Sequence, residues 1–537
     1  MLDKLLPQIF KVEKVFRLGR TVSHFRTAQL GEKFQYQIVK FCYDKNLLPL
    51  QKKQSSSVTF LKMNTTSCCC SIFKDDKFLL LNHEWKFEGA IDWNYYGHGQ
   101  LWNIRLNSLD YLSHHEISKE DGQRLLLSMI NEFKKNKTQF DSHCASLRII
   151  NAIKFCSRFE IDNNEINSFI FSQAAYVKKN SENHLRNNHL LENGFALLFA
   201  SQYFNDEKSF KISSKTLGKS IEEQILPDGG HFELCPMYHL WTVNRMLESL
   251  QILRASKHNV KELLQLVEDK LTLMLGWIIQ MQFSNGTLPA VNDSAEGYGP
   301  GVNAILKSAC DLGVKGSILM LKESGFRKFK NRNFELLVDV NGLTPKEAPG
   351  HSHADTFHFI LHVFGDPFIV DTGVSTYEPS KARLYERSTS AHNTVTVEGL
   401  NQSELYDVFR AGRRANVKIN KQLYKELEAS HDGYKHLGIT HTRNFVFENE
   451  KIIITDIIKG QGKDVNGSAY LHIDKKNRLL QKDKLFISKF ITIHFENSSD
   501  VEVSDNFYAT TFGKRLPCYV IKSNFKNKLV TTISLTK

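Results

Sequence analysis

A change of hydrophobic period part-way along this 537-residue chain constrains its fold more than any other feature. Between about residues 111 and 325, apolar residues recur at helical spacing. They do so in stretches near 124–133, 146–156, 165–177, 189–203, 220–225, 238–256 and 260–281. Polar links such as SENHLRNN and PDGGHFELCP separate them. Helices of that length in series pack as antiparallel hairpins, in a bundle, a solenoid or a toroid. The absence of a fixed repeat length disfavours a simple solenoid. After about residue 330 the period shortens to alternation, in runs near 334–340, 357–364, 394–397, 442–447, 451–458, 484–495 and 529–535. Turn pairs at Asn341-Gly342, Gly365-Asp366, Glu398-Gly399 and Asp432-Gly433 punctuate the runs, as in an antiparallel sandwich or stacked sheets. The expected class is therefore α+β multidomain. Residues 1–110 form a mixed extension with short strands, 111–328 a helical domain and 329–537 an antiparallel β domain. Such halves commonly hold a ligand in the cleft between them.

Trp93, Tyr95, Tyr96 and Trp102 in the extension either pack a core or line a groove where rings stack on sugars. The chain carries 70 Lys+Arg against 58 Asp+Glu, a net charge of +12. That sign favours polyanionic partners without choosing among nucleic acid, membrane and acidic polysaccharide. No nucleic-acid motif is recognisable, and no apolar run reaches transmembrane length. Nine cysteines, three of them consecutive at Cys68, Cys69 and Cys70, include no CxxC pair, which argues against a disulfide framework or zinc ribbon. With charges breaking up the first twenty residues, no secretory signal is visible. The expectation is a cytoplasmic protein, or a periplasmic or secreted one if a leader has been removed.

Four polar constellations interrupt the pattern. Asn188, His189 and Glu192 lie at a helix start, His189 and Glu192 on one face. Asn188 there either caps the helix or presents its amide to a carboxylate. Asp228–His239 is a glycine-bearing loop feeding a helix that begins near Tyr238. If Gly350–Asp355 is a strand, His351, His353 and Asp355 share one face. His353, Asp371 and His392 make a two-histidine, one-carboxylate set suited to Zn²⁺ or a similar ion.

In this order the motifs NNHLLENGFALLFA, DGGHFELCPMYH, HSHADTFHFILHVFGDPFIVDTG and RSTSAHNTVTVEG resemble the heparinase II/III family of polysaccharide lyases, as does WNYYGHGQLWNIRLNSLDYL earlier in the chain. The resemblance runs from about residue 90 to 410. It implies an incomplete (α/α) toroid followed by an antiparallel β-sandwich domain, and β-elimination on a uronic-acid polysaccharide. It further implies that Asn188 meets the substrate carboxylate, with His189 beside it and Glu192 near. Tyr238 and His351 become the proton-transfer pair, and His353, Asp371 and His392 the ligands of a divalent metal, zinc in several members.

The chemistry suits those residue types. A C5 proton is weakly acidic, so the adjacent carboxylate must be neutralised before a base removes it. An acid must also protonate the leaving oxygen. Which of Tyr238 and His351 is base and which acid stays open with the substrate's epimer. Tyr377, Arg383, Tyr385 and Arg387 are candidate contacts for acidic groups or a solvated loop. Competing readings are a glycoside hydrolase, with Asp228 and Glu233 or Asp293 as its carboxylates, and a non-catalytic glycan-binding protein.

Overall fold

The computed structural model describes residues 14–45, 58–64, 71–135, 141–462 and 464–536. The cysteine run at 68–70 lies outside them. The six cysteines described are free thiols.

A helix α1 (Thr27–Asp44) and a three-stranded antiparallel sheet, β1 (Ser71–Lys74), β2 (Lys77–Leu80) and β3 (His83–Lys86), precede the helical series. That series is α2 (Gln100–Ser108), α3 (Lys119–Lys135), α4 (Ser142–Arg158), α5 (Asn164–Lys179), α6 (Asn188–Tyr203), α7 (Glu207–Gln224), α8 (Pro236–Arg254), α9 (Lys261–Met281) and α10 (Val302–Asp311). The polar links start the helices. Asp141, Asn163, Asn187 and Asp206 each accept a hydrogen bond from a backbone N–H of the first turn they precede. Pro236 occupies the first turn of α8, where its missing N–H costs nothing. Helix α6 is buried almost all round, which explains its unbroken apolar run. Its Gly194 lets α7 approach, because a Cβ there would stand 2.8 Å from Leu217 Cδ2. Trp93 and Trp102 are both 0% exposed and belong to the core of this half.

The second half is built on one continuous 14-stranded sheet, beside a two-stranded ribbon of Leu405–Tyr406 and Arg410–Ala411. Its main path begins with β4 (Phe326–Lys330), β5 (Phe334–Asp339), β6 (Phe359–Val363) and β7 (Asp366–Ile369). The strand β8 (Val395–Val397) attaches at the side of β12 (Asn466–Asp474). The far edge is formed by β9 (Glu426–His431), β10 (Thr440–Phe447) and β11 (Lys451–Lys459), with Val417–Leu423 outermost. Two layers were expected, and they arise from one sheet curling back on itself. Phe329 of β4 lies 5.6 Å, ring to ring, from Phe447 of β10, although the path between β4 and β10 crosses most of the sheet. Strands β10 and β11 alternate buried and half-exposed residues, the pattern of a sheet with one wet face. Strands β5 and β6 are buried on both faces. Leu336, Val338, Phe359 and Leu361 enter the β core, whereas Leu337 and Ile360 join the core of the helical half. These two strands therefore dock the halves, and the β half starts at Phe326, slightly before the expected boundary.

A long hairpin of β13 (Ile491–Thr511) and β14 (Lys514–Leu535) carries its tip across to the helical side. The Thr510 carbonyl accepts from the Glu296 N–H at 2.6 Å, and the Phe512 carbonyl from Asn82 Nδ2 at 2.9 Å. Among the described residues no helix is long and apolar enough to cross a membrane.

Candidate active site

The loop before α8 brings the helical side of the site together. Asp228 accepts hydrogen bonds from the N–H groups of Gly230, Lys322 and Ser324 and from the Ser324 hydroxyl. Gly229 adopts φ +88° with the Leu273 carbonyl where a Cβ would be. Asp228, one of the two carboxylates a hydrolase would need, is thus committed to shaping this loop. Helix α8 then begins and projects Tyr238 beneath the β half.

From the β half, His351 meets it. The Tyr238 and His351 rings are 4.3 Å apart. The Tyr238 hydroxyl lies 3.4 Å from that of Tyr377, which in turn lies 3.5 Å from His351 Nδ1. The stretch 350–357 is not a strand as expected but irregular, with Phe357 at φ +68°. His351 and His353 still converge, on Asp293: its Oδ2 is 2.9 Å from His351 Nδ1 and its Oδ1 2.9 Å from His353 Nε2. Asp355 instead faces Asp371 and Asp339; burial, followed by the charge of Asp371, pushes its pKa up to about 7 despite the nearby His392.

On the helical side, the residue that caps α6 is Asn187, through the His189 N–H at 3.1 Å, and not Asn188. Asn188 donates its backbone N–H to Glu233 Oε1 at 3.0 Å, and its side-chain Oδ1 is buried without a partner. Glu233, offered by the sequence only as a hydrolase carboxylate, is 1% exposed with Oε2 unpaired; burial raises its pKa against the opposing pull of His351 and of the Asn188 N–H. His189 Nδ1 lies 3.2 Å from Glu182 Oε1. Burial opposes charge on that imidazole, but the Glu182 carboxylate outweighs it and raises the pKa above 6.5. Burial raises Tyr238 well above 10, with Tyr298, Cys235 and Asp293 adding to it, so the phenol is protonated at neutral pH.

Several expected substrate contacts take other parts. Glu192 is 3% exposed, with Oε1 accepting from Arg245 Nε at 2.7 Å and Oε2 from Trp241 Nε1 at 3.2 Å. Arg383 is 0% exposed and grips Asp293 with both terminal nitrogens, Nη2 reaching Oδ2 at 2.8 Å. Arg387 holds the Ser352 carbonyl at 3.1 Å and that of Val408 at 2.9 Å. Both guanidiniums brace the histidine loop from inside. Tyr385 accepts from Asn506 Nδ2 on the long hairpin, and no contact links it to Tyr238. Tyr377 alone of this group reaches the phenol–imidazole pair, and its other side walls a cavity of about 420 Å³ with His83, His98, Trp102, Glu378 and Arg515.

Among the described residues, two clusters bring three metal-binding groups within 4.8 Å of one another: His358, Asp371 and His392, and His143, Glu182 and His189. In the second, the two imidazoles stack 4.0 Å apart with planes 12° from parallel. No nearby point lies in both ring planes, so their in-plane lone pairs cannot converge on one ion. In the first, the His358 and His392 planes cross at 71°. Proton placement then separates His358 from its neighbour. His358 Nδ1 accepts the Asn393 N–H at 2.9 Å, which leaves the ring proton on Nε2; that atom lies 2.9 Å from Asp371 Oδ2 but outside hydrogen-bonding geometry. His353 is the converse case. Its Nε2 faces the Asp293 carboxylate, and its Nδ1 is buried and unpartnered beside the His392 ring, 5.2 Å between centroids. His392 Nδ1 is 3.2 Å from Asp371, and its Nε2 has no partner. His353 is in neither cluster, so the expected set of His353, Asp371 and His392 is not gathered within 4.8 Å; its donor types, with Asp293 behind His353, are those that suit a divalent metal.

Residues 147–311 match the family described as Heparinase II/III N-terminus, and residues 315–524 match Heparinase II/III-like, C-terminal. A heparin-sulfate lyase of Bacteroides stercoris is 26% identical over 336 residues, covering 56% of this chain and 48% of the relative. One of Pedobacter heparinus is 25% identical over 334 residues, covering 55% and 48%. The matches thus span about half the length of these relatives. A solved structure described as heparinase III superposes with a TM-score of 0.65 at 15% identity, covering 84% of this chain and 80% of that one. A heparan sulfate lyase mutant from Pedobacter heparinus superposes with a TM-score of 0.55 at 16% identity, covering 85% and 80%. At such identities the likeness concerns architecture, an α/α toroid followed by an antiparallel β domain. With both halves matched in order across most of its length, this chain belongs to the heparinase II/III family.

Proposed function

We propose that this protein is a polysaccharide lyase that cleaves a uronic-acid-containing acidic polysaccharide, of the heparan sulfate type, by β-elimination. The observation that carries the reading is the close approach, 4.3 Å between ring centroids with planes tilted by 38°, of a helix-borne phenol, Tyr238, and a loop-borne imidazole, His351. The helix start that bears Asn188 and His189 approaches through Glu233, whose carboxylate holds the Asn188 N–H. The names of the two curated relatives support the substrate class.

In this mechanism the Asn188 amide and the His189 imidazolium neutralise the uronate carboxylate, which acidifies C5. Cationic His189 is favoured by Glu182. His351 takes the C5 proton through Nε2, since its hydrogen bonds among the described residues are made by Nδ1. The electrons of the C5–H bond form the C4–C5 double bond, and the C4–O4 bond breaks. Tyr238, held protonated by burial, gives its proton to the departing oxygen. A zinc or similar ion held by His353, Asp371 and His392 would supply a fixed crosslink beneath the histidine loop.

The test is a panel of acidic polymers (heparan sulfate, chondroitin sulfate, alginate and a uronate-bearing capsule) read by the ultraviolet absorbance of the unsaturated product. Absorbance growing on heparan sulfate is the expected result. New reducing ends without that absorbance would make the protein a hydrolase, and no cleavage of any polymer would leave a binding protein.

A further inference from the structure

The least expected feature of the site is the buried carboxylate of Asp293. Its side chain is 0% exposed, yet four nitrogen atoms of three residues converge on it: His351 Nδ1, His353 Nε2, and Nη1 and Nη2 of Arg383. Its backbone N–H also donates to the His351 carbonyl at 3.2 Å, so one residue pins both ends of His351. Arg383 meets this carboxylate with both terminal nitrogens, a fully enclosed ion pair that leaves Oδ2 shared with His351.

We propose that Asp293 is the positioning residue of the reaction, acting through His351. The step rests on the reading of His351 as a proton acceptor given above. A neutral imidazole has one N–H and one lone pair, and an ionised carboxylate can only accept. Asp293 therefore draws the ring proton to Nδ1 and leaves the Nε2 lone pair for the C5 proton of the substrate. When His351 becomes an imidazolium, the same carboxylate stabilises it. Arg383, with its ring-stacked guanidinium 4.9 Å over Tyr377, keeps Asp293 charged and fixed without touching substrate. Asp293 also meets His353, so the carboxylate ties the base to the loop at the proposed metal site. A purely structural role would need the ion pair with Arg383 and nothing more; it gives no reason for the second oxygen to be 2.9 Å from His351.

The experiment compares Asp293→Asn, the double variant Asp293→Asn/Arg383→Gln and His351→Ala with wild type on heparan sulfate. The double variant replaces the ion pair by two amides and so avoids an unpaired buried guanidinium. Circular dichroism and thermal midpoint establish folding. The expected result in a folded Asp293 variant is a kcat loss of roughly 10²–10⁴, the scale of a general base, with KM within about threefold. The primary isotope effect on a C5-deuterated oligosaccharide should rise, because proton removal alone has been slowed. A folded variant with wild-type kcat and an unchanged isotope effect, beside an inactive His351→Ala, overturns the role of Asp293 and leaves the lyase reading intact. A fully active His351→Ala overturns both.

Discussion

Replacing Tyr238 by Phe separates chemistry from stability, because the structure assigns very different sizes to the two effects. The change removes one oxygen atom. Among the described residues that hydroxyl makes a single hydrogen bond, to Tyr377 at 3.4 Å, at the long end of the useful range. A neutral hydrogen bond is worth about 1 kcal/mol net, and one this long less, so the folding cost should be about 0.5 kcal/mol or below. The ring itself stays, with its tilted contact to His351 and its edge contact to Tyr298. Catalysis is affected quite differently. A lost proton donor costs roughly 10²–10⁴ in rate, about 3–5.5 kcal/mol of barrier. The expected outcome is a variant with the melting profile of wild type, a KM within a few-fold, and product absorbance slowed by at least about a hundredfold. Tyr377 adds a control: its phenol is the neighbour of the proposed donor, so Tyr377→Phe should cost clearly less. A Tyr238→Phe protein that turns over within tenfold of wild type would refute the assignment, as would one whose activity fell only in step with its fold.

Glu192→Gln should act on stability and not on substrate affinity. It leaves Arg245 and Lys154 facing the single carboxylate of Glu248 in a fully buried network, at a cost of about 3–5 kcal/mol; a higher KM with an unchanged urea midpoint would contradict this. Zinc content by elemental analysis should fall to background in His353→Gln and Asp371→Asn but persist in His358→Gln, and the reverse order would defeat the proton-placement argument. Acid should destabilise the fold. Burial depresses His231 to about 3 and His239 to about 4, so below pH 6.5 the unfolded chain binds protons that the folded one refuses. Each contributes stability that is complete above pH 6.5 and is lost by about 1.4 kcal/mol per unit down to its folded value. A thermal midpoint that stays flat from pH 6.5 to 4.5 would show that these rings are not held neutral.

The periodic parts of the fold were readable because burial imposes period on sequence. Helices such as α3 and α9 and strands such as β10 and β11 declare themselves through the side they hide. Elements that hide less, or hide everything, were harder to see. Helix α2 has six buried residues in nine, several of them polar, including Asn103, Arg105 and Asn107, and so carries no amphipathic signal. The first three turns of α7 are rich in Lys and Ser and were missed, whereas its apolar end was found. That the two β layers are one curled sheet is a matter of long-range pairing, which alternation along a strand does not record.

The site divides along the same line. Asn188, Tyr238 and His351 were legible because the resemblance carries them in ordered motifs. What each neighbour does was not legible, since it depends on where loops fold. Charge misled most: a sequence offers Glu192, Arg383 and Arg387 as polar groups free to meet a polyanion, and burial turns all three inward. Once an arginine is wholly enclosed it must be matched, and the match for Arg383 is Asp293. Counting by two along 351–355 likewise grouped Asp355 with the histidines, but the irregular backbone sends it toward Asp371 and brings His358 in beside that carboxylate. His353 and His358 then sit at similar distances from an acid and differ only in which ring nitrogen is already engaged. That difference lies in two hydrogen bonds, one from the Asn393 N–H and one to Asp293, each made by a residue distant in the chain. Sequence spacing can nominate the histidines near an ion, but only the partner of the other nitrogen decides which of them has a lone pair to give.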